Sequence, residues 1–127
     1  MHLTLWIATG VLALVALSGG ITKTLLPKDR LAAQHGAEWT AFASVGFVKV
    51  LGVLELLAAV GLILPAVLDI GTVMVPVTAL CWVALMIGAM VTHSRLGQAW
   101  FVALNLVYLA LAAFIAWGRL GPEPFTS

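Results

Sequence analysis

Charged residues are scarce in this chain: six Lys or Arg and five Asp or Glu among 127 residues, which is 9%. Soluble domains carry about 25% charged and about 45–50% apolar residues. Here 63% of the residues are hydrophobic and the mean hydropathy is +1.15. This composition excludes a soluble domain and indicates an integral membrane protein. The net charge of +1 gives no basis for binding nucleic acid.

Cysteine is nearly absent as well, since Cys81 is the only one. A single thiol excludes an intramolecular disulfide and a CxxC redox pair. We interpret Cys81 as a small packing residue inside a helix.

Other catalytic signatures are also missing. The sequence has no Ser, His, Asp arrangement, no phosphate-binding glycine loop and no metal-ligand spacing. Its histidines, His2, His35 and His93, offer no intramembrane pair for a haem. Enzymatic activity in this chain alone is therefore disfavoured, and the residues predict neither a metal site nor a haem.

Four apolar stretches are each long enough to cross a bilayer, which takes about 20 residues. They cover residues 3–22, 45–64, 70–91 and 98–117, with a more polar interfacial segment at 27–43. This pattern predicts one all-α domain over residues 1–127, a membrane-embedded antiparallel four-helix bundle. The first stretch lacks a preceding Lys or Arg, so we interpret it as a retained span and not a cleaved signal peptide.

Two prolines are expected to shape the spans. Pro65 is predicted to end the second span, because proline lacks the backbone donor that a continuing helix needs. Pro76 is predicted to kink the third span, with neighbouring helices or water satisfying the freed carbonyl.

The polar segment between the first two spans has a weak helical pattern. Leu31, His35, Trp39 and Phe42 recur at helical spacing, although Gly36 disfavours a helix there. A short amphipathic helix lying in the membrane interface fits this pattern. The alternative is a re-entrant lid over a cavity.

Glu55 is the least expected residue, because it stands within the apolar run of the second span. A carboxylate at the centre of an inserted helix costs about 2.5–3.5 kcal/mol. Lys49 is six residues earlier, which places it about 120° around the helix and about 9 Å along it. Glu55 is therefore predicted to meet Lys23, His93 or Asn105 on another helix.

Antiparallel threading brings distant polar residues to one level of the membrane. The first span ends near Lys23, the second begins near Lys49 and the third ends near His93. With Glu55 and Asn105 they are predicted to form one ligand-binding pocket. In the structural alternatives, Lys49 snorkels to the headgroups and Glu55 forms an ion pair only. In the same alternatives, His93 is only an interfacial residue and Asn105 only forms a hydrogen bond to a neighbouring helix.

The residues that carry a family resemblance lie in the first three spans. They are Gly20 to Lys23, then Phe47, Lys49, Gly52, Leu54, Glu55, Gly61, Leu62 and Pro65, then Gly88, Ala89, Thr92 and His93. With these residues, nearly the whole chain resembles the DoxX-like family of small four-helix membrane proteins.

The resemblance implies an architecture more than an activity. DoxX is named for a subunit associated with quinone-linked thiosulfate oxidation, which implies a quinone or lipid pocket. A vertebrate relative is a chaperone for nicotinic receptor assembly in the endoplasmic reticulum, which implies recognition of other membrane proteins. The single cysteine departs from the thiol-redox members of the wider fold group.

Three functions follow, in order of preference. The first is a binding or accessory subunit, at most of a quinone-linked oxidoreductase, that holds a quinone or lipid headgroup in the polar pocket. The second is an assembly chaperone or interaction module, whose partner is another membrane protein or a second copy of the chain. The third is a small proton-coupled exporter, disfavoured because the first span has no carboxylate.

Basic residues predict the orientation in the plasma (inner) membrane. All but one lie at the face bearing the first and third connections: Lys23, Lys28, Arg30, Lys49 and Arg95, with only Arg119 opposite. The positive-inside rule makes this face cytoplasmic and places both termini on the other side. The excess of basic residues at this face is smaller if Lys23 and Lys49 belong to a binding site and are left out of the count.

Overall fold

The computed structural model describes residues 1–34 and 37–125, and within these ranges the only regular elements are helices. They are, in chain order, α1 (His2–Leu25), α2 (Lys28–Ala32), a 3-10 helix (Glu38–Phe42), α3 (Val45–Leu68), α4 (Met74–Arg95) and α5 (Ala99–Leu120). Helices α1, α3, α4 and α5 are each long and apolar enough to cross a membrane. This confirms the predicted all-α bundle with a short helix between its first two spans.

The four long helices form a closed ring of antiparallel neighbours. Helix α1 packs against α3 and α5, and α4 packs against the same two helices. Small side chains sit at the centre, where Ala16, Ala79 and Ala112 are fully buried beside Leu12 and Ile115. Because lipid tails are as apolar as these side chains, close packing holds such a bundle together.

Helices α1 and α3 approach each other most closely where glycines face across the interface. A Cβ atom added to Gly20 would lie 2.9 Å from the carbonyl oxygen of Gly52 and 2.7 Å from Cγ of Leu56. One added to Gly52 would lie 2.8 Å from Cβ of Lys23. The absence of side chains here brings the end of α1 against the start of α3.

Pro65 does not end its helix, contrary to the prediction. Helix α3 continues to Leu68 and ends at Asp69, whose φ of 56° is left-handed. Proline removes one backbone donor but keeps its acceptor. The N–H group of Ile70 donates to the Pro65 carbonyl at 3.1 Å, which closes the last turn behind the proline.

Pro76 also plays a different part from the expected kink. Helix α4 begins at Met74, after a bend in which Gly71 has a φ of +58°. Pro76 therefore lies in the first helical turn, where a backbone N–H has no partner within the helix. The prediction of a kink inside the span was wrong because the helix starts later than residue 70.

The segment between α1 and α3 contains two short helices and not one amphipathic helix. Leu31 in α2 is buried, whereas Phe42 at the end of the 3-10 helix is 83% exposed. Phe42 therefore does not share the buried side of Leu31, and that part of the predicted pattern was wrong. His35 and Gly36, which belonged to the same pattern, lie outside the described residues. We call α2 and the 3-10 helix together the cap segment.

Candidate functional site

A cavity of about 500 Å³ opens within the half of the bundle that carries the cap segment. All four long helices contribute walls, and the cap segment contributes Leu31 and Trp39. The polar residues in its lining are Thr22, Lys23, Gln34, Glu55, Thr92, His93, Asn105 and Tyr108. The cap segment thus borders the cavity.

Glu55 and Lys23 form an ion pair at the cavity wall. The Lys23 Nζ atom lies 3.0 Å from Oε2 of Glu55 and donates a hydrogen bond to Oε1 at 3.3 Å. Glu55 is only 6% exposed. Among the described residues, no donor is aligned for a hydrogen bond to Oε2, so the lysine holds this oxygen by charge alone. The predicted cross-helix partner of Glu55 is therefore Lys23.

Gly19 provides the space that this ion pair occupies. A Cβ atom at this position would lie 2.6 Å from Oε1 of Glu55 and 3.3 Å from Nζ of Lys23. The first distance is too short for non-bonded atoms, and the second is a tight contact that would require a small shift of the lysine. Gly19 therefore leaves room for the carboxylate of Glu55, and Gly20 leaves room for the backbone of α3.

Lys49 lies outside the cavity lining, unlike the other four residues of the predicted pocket. Its Nζ atom donates to the carbonyl oxygens of Lys23 at 2.9 Å and of Leu26 at 2.6 Å. The final carbonyls of a helix have no partner within the helix and carry partial negative charge. Lys49 thus satisfies the end of α1 and holds the backbone of Lys23 in place.

His93 is buried at the other side of the cavity and is connected to the cap segment. The residue is 7% exposed, and its ring stacks on Phe101 with centroids 5.4 Å apart. Its Nδ1 atom lies 2.6 Å from Oε1 of Gln98, and Nε2 of Gln98 donates to a carboxylate oxygen of Glu38. This chain of hydrogen bonds joins α4, the start of α5 and the 3-10 helix.

The tight turn between α4 and α5 positions Gln98 beside His93. Gly97 has a φ of +70°, a conformation that glycine adopts without steric cost. The turn is closed by the Gln98 N–H group, which donates to the carbonyl of His93 at 2.9 Å. Backbone geometry alone therefore brings the Gln98 side chain within reach of the imidazole.

Further polar groups line the middle of the cavity. Trp82 is 2% exposed, and its Nε1 donor has no hydrogen-bond acceptor among residues 1–34 and 37–125. Asn105 and Tyr108 are half-buried on α5 and also border the cavity. The walls therefore offer donors and acceptors in an otherwise apolar space.

The structure places four of the five predicted pocket residues at the cavity wall. Lys23, Glu55, His93 and Asn105 all line the cavity. The sequence analysis missed Trp82 and Tyr108 in the lining, and Gln98 and Glu38 behind His93. Signals existed for three of them: Trp82 is the only tryptophan in mid-span, Glu38 is one of five acidic residues, and Gln98 follows a turn glycine.

A separate polar cluster stands at the opposite end of the bundle. Arg119 is 4% exposed, with its guanidinium 4.0 Å from the ring centre of Phe125. Its Nη1 atom donates to the carbonyl of Glu123 at 3.1 Å and lies 3.0 Å from Nδ1 of His2. These contacts tie the first helix to the residues after α5.

Neither thiol nor metal chemistry is suggested around the cavity. Cys81 lies within α4, but it is exposed on the helix surface and not packed inside as expected. In the part of the chain that the structure describes, no group of three or more His, Cys, Asp or Glu residues could hold a metal ion.

Comparison with known proteins agrees with the architecture. The model of the DoxX-like family matches residues 7–115, a range that contains every polar residue of the cavity lining. No curated protein and no solved structure matches the chain. With most of its length matched by that one model, this membrane protein belongs to the DoxX-like family.

Proposed function

We propose that this protein is a membrane-embedded binding subunit that holds the oxygen-bearing head of a lipophilic molecule, a quinone or a lipid. The observation that carries the proposal is the cavity of about 500 Å³, which is lined by Lys23, Glu55, His93 and Asn105. Small-molecule sites typically enclose about 300–1,000 Å³ of mostly apolar space with a few convergent polar groups. As a binding subunit, the chain would serve a quinone-linked enzyme and would not catalyse the reaction itself.

The polar groups suit oxygen atoms on a ligand. Lys23 has N–H groups beyond those that it directs to Glu55, and Trp82 has a buried N–H without an acceptor among the described residues. Such donors fit carbonyl or phosphate oxygens, and an unpaired polar group in an apolar setting costs about 1–3 kcal/mol until it finds a partner. A bound head would therefore satisfy groups that the protein leaves open.

A glycine in the lining offers a direct test by blocking the cavity. Gly88 borders the cavity, and a Cβ atom there meets nothing within 4 Å, so we expect Gly88→Leu to add a side chain at the cavity wall without a clash at its Cβ. Gly10→Leu is the matched control, because a Cβ at Gly10 also meets nothing within 4 Å and this residue is outside the cavity lining.

Each protein is extracted from native membranes into polymer-bounded nanodiscs, and the retained small molecules are identified by mass spectrometry. The native chain and Gly10→Leu should retain one enriched quinone or lipid species, and Gly88→Leu should lose most of it. The species that is lost distinguishes a quinone from a lipid. Identical profiles for all three proteins would overturn the proposal, and a loss restricted to co-purifying proteins would favour the chaperone alternative.

The polar contribution is tested in the same experiment. Glu55→Gln keeps the shape of the side chain and removes its charge, which releases Lys23 from its ion pair. Asp29→Asn makes the same change at an exposed carboxylate of α2 outside the cavity. The amount of the small molecule retained by Glu55→Gln should differ about tenfold from the amount retained by the native chain, which corresponds to one charge-assisted hydrogen bond. Asp29→Asn should retain the same amount as the native chain. Equal effects of both changes would contradict a role for the buried pair.

A further inference from the structure

We infer that the cavity selects a head group that carries a hydroxyl, which donates a hydrogen bond to Nε2 of His93, with Gln98 and Glu38 as positioning residues. The inference rests on the proposed function and adds the donor and acceptor pattern of the ligand. It follows from the direction of the hydrogen bonds that hold His93.

The direction of this chain of hydrogen bonds is set at its outer end. A carboxylate only accepts hydrogen bonds, so the Gln98 atom that faces Glu38 must be the amide nitrogen. The amide oxygen of Gln98 then faces Nδ1 of His93 at 2.6 Å. Because an amide oxygen only accepts, Nδ1 of His93 must carry a hydrogen. In the neutral ring this leaves Nε2 as a bare acceptor.

Nothing in the described chain uses that acceptor. Nδ1 is engaged with Gln98, and no described residue donates to Nε2. Stacking on Phe101 fixes the plane of the ring, and His93 lines the cavity. The position thus offers a lone pair of fixed direction to whatever occupies the cavity, and a hydroxyl is the common partner for it.

Across the cavity from His93, the wall offers hydrogen-bond donors in place of an acceptor. Lys23 supplies N–H donors there, next to a carboxylate that it already neutralises. A head with a hydroxyl toward His93 and a second oxygen toward Lys23 satisfies both ends. A head with carbonyl or ether oxygens alone satisfies only the lysine end and leaves Nε2 of His93 without a donor. Hydroquinones and other hydroxylated heads therefore fit better than fully oxidised quinones.

The tautomer of His93 tests the first step. In bilayers containing histidine-labelled protein, 15N chemical shifts distinguish a ring protonated at Nδ1 from one protonated at Nε2. The signal of His93 is the one that disappears in His93→Phe. We expect the Nδ1–H form in the native chain and in Asp29→Asn, a control at an exposed residue outside the cavity lining, and loss of that preference in Gln98→Leu. An Nε2–H form in the native chain overturns the inference.

Binding selectivity tests the second step with two redox-inert probes, 4-nonylphenol and 4-nonylanisole, which differ only in the hydroxyl hydrogen and its methyl replacement. Binding to protein in nanodiscs is measured against protein-free nanodiscs. The phenol should bind about tenfold more tightly, the value of roughly one neutral hydrogen bond, and His93→Phe should bring the ratio near one.

Gln98→Leu should reduce the same ratio of affinities, whereas Asp29→Asn, outside the cavity lining, should leave it unchanged. Equal binding of the two probes by the native chain overturns the inference but leaves the proposed function standing. Failure of both probes to bind overturns both.

Discussion

At the scale of single residues, the Glu55 and Lys23 pair shows why a charge is tolerated within this bundle. Moving two charged groups out of water costs free energy. Their mutual attraction compensates for that cost only when the two groups lie close together. Here two distances of 3.0 and 3.3 Å join the ammonium to the carboxylate. The pair is more exposed on the lysine side, at 20% against 7% for the glutamate side chain. Substituting Lys23 alone and substituting Glu55 alone should therefore change the free energy of unfolding by unequal amounts.

Lys23→Met should destabilise the protein by about 3–5 kcal/mol, because it leaves a buried carboxylate without its partner. Glu55→Gln should cost less, since the remaining lysine is closer to solvent and can turn toward it. The double variant should be more stable than Lys23→Met alone. Reversible unfolding in mixed detergent micelles gives the four free energies, with Lys28→Met as the control for loss of a basic residue. Strict additivity of the two substitutions would contradict the ion pair.

At the scale of secondary-structure elements, the contact between α1 and α3 depends on where glycines fall on the helix surface. Small residues recur throughout the chain, so their spacing alone does not identify the interface. The structure distinguishes Gly20, which touches α3, from Gly10, where nothing lies within 4 Å of a built Cβ. Which glycine matters is decided by the rotation of α1 about its axis.

Gly20→Ala should therefore destabilise the bundle by about 1–3 kcal/mol, the usual cost of forcing an extra methyl group into a packed contact. Gly10→Ala should be neutral or stabilising by about 0.5–1 kcal/mol, because alanine favours a helix more than glycine does. Thermal unfolding of both variants in the same detergent measures the difference. An equal effect of the two substitutions would show that the close approach of α1 to α3 is absent.

The short elements were harder to predict than the spans. A stretch of about 20 apolar residues predicts a membrane helix without reference to anything else, and all four spans have counterparts in the structure. The cap segment has no such internal signal. Its path depends on contacts made elsewhere, such as the bond from Gln98 to Glu38. The effects of Pro65 and Pro76 likewise depended on where each helix starts and ends.

At the scale of the whole molecule, the two ends of the bundle differ in charge. The cavity end carries most of the basic residues, but Lys23 and Lys49 are engaged in internal contacts there. Lys28, Arg30 and Arg95 remain to interact with the membrane surface. The positive-inside rule then favours a cytoplasmic cavity end, with the cluster of Arg119 on the other side.

This orientation predicts which positions an impermeant maleimide reaches. In a Cys81→Ser background, Glu123→Cys should be labelled on intact cells, whereas Lys28→Cys should be labelled only after permeabilisation. The reason is that the membrane separates the two ends of the bundle. The reverse pattern would place the cavity mouth outside the cell and would require a ligand or partner on that side.

The sequence by itself determined the membrane class, the four spans and the presence of an unusual charge at Glu55, because hydropathy and the cost of burying a charge act locally along the chain. It also narrowed the partner of Glu55 by helical geometry, which excluded Lys49. Only the tertiary structure decided that Lys23 is the partner, that Lys49 completes the end of α1, and that Gln98 holds His93. Those outcomes depend on helix rotation and turn geometry, through which residues distant in sequence come within hydrogen-bonding distance.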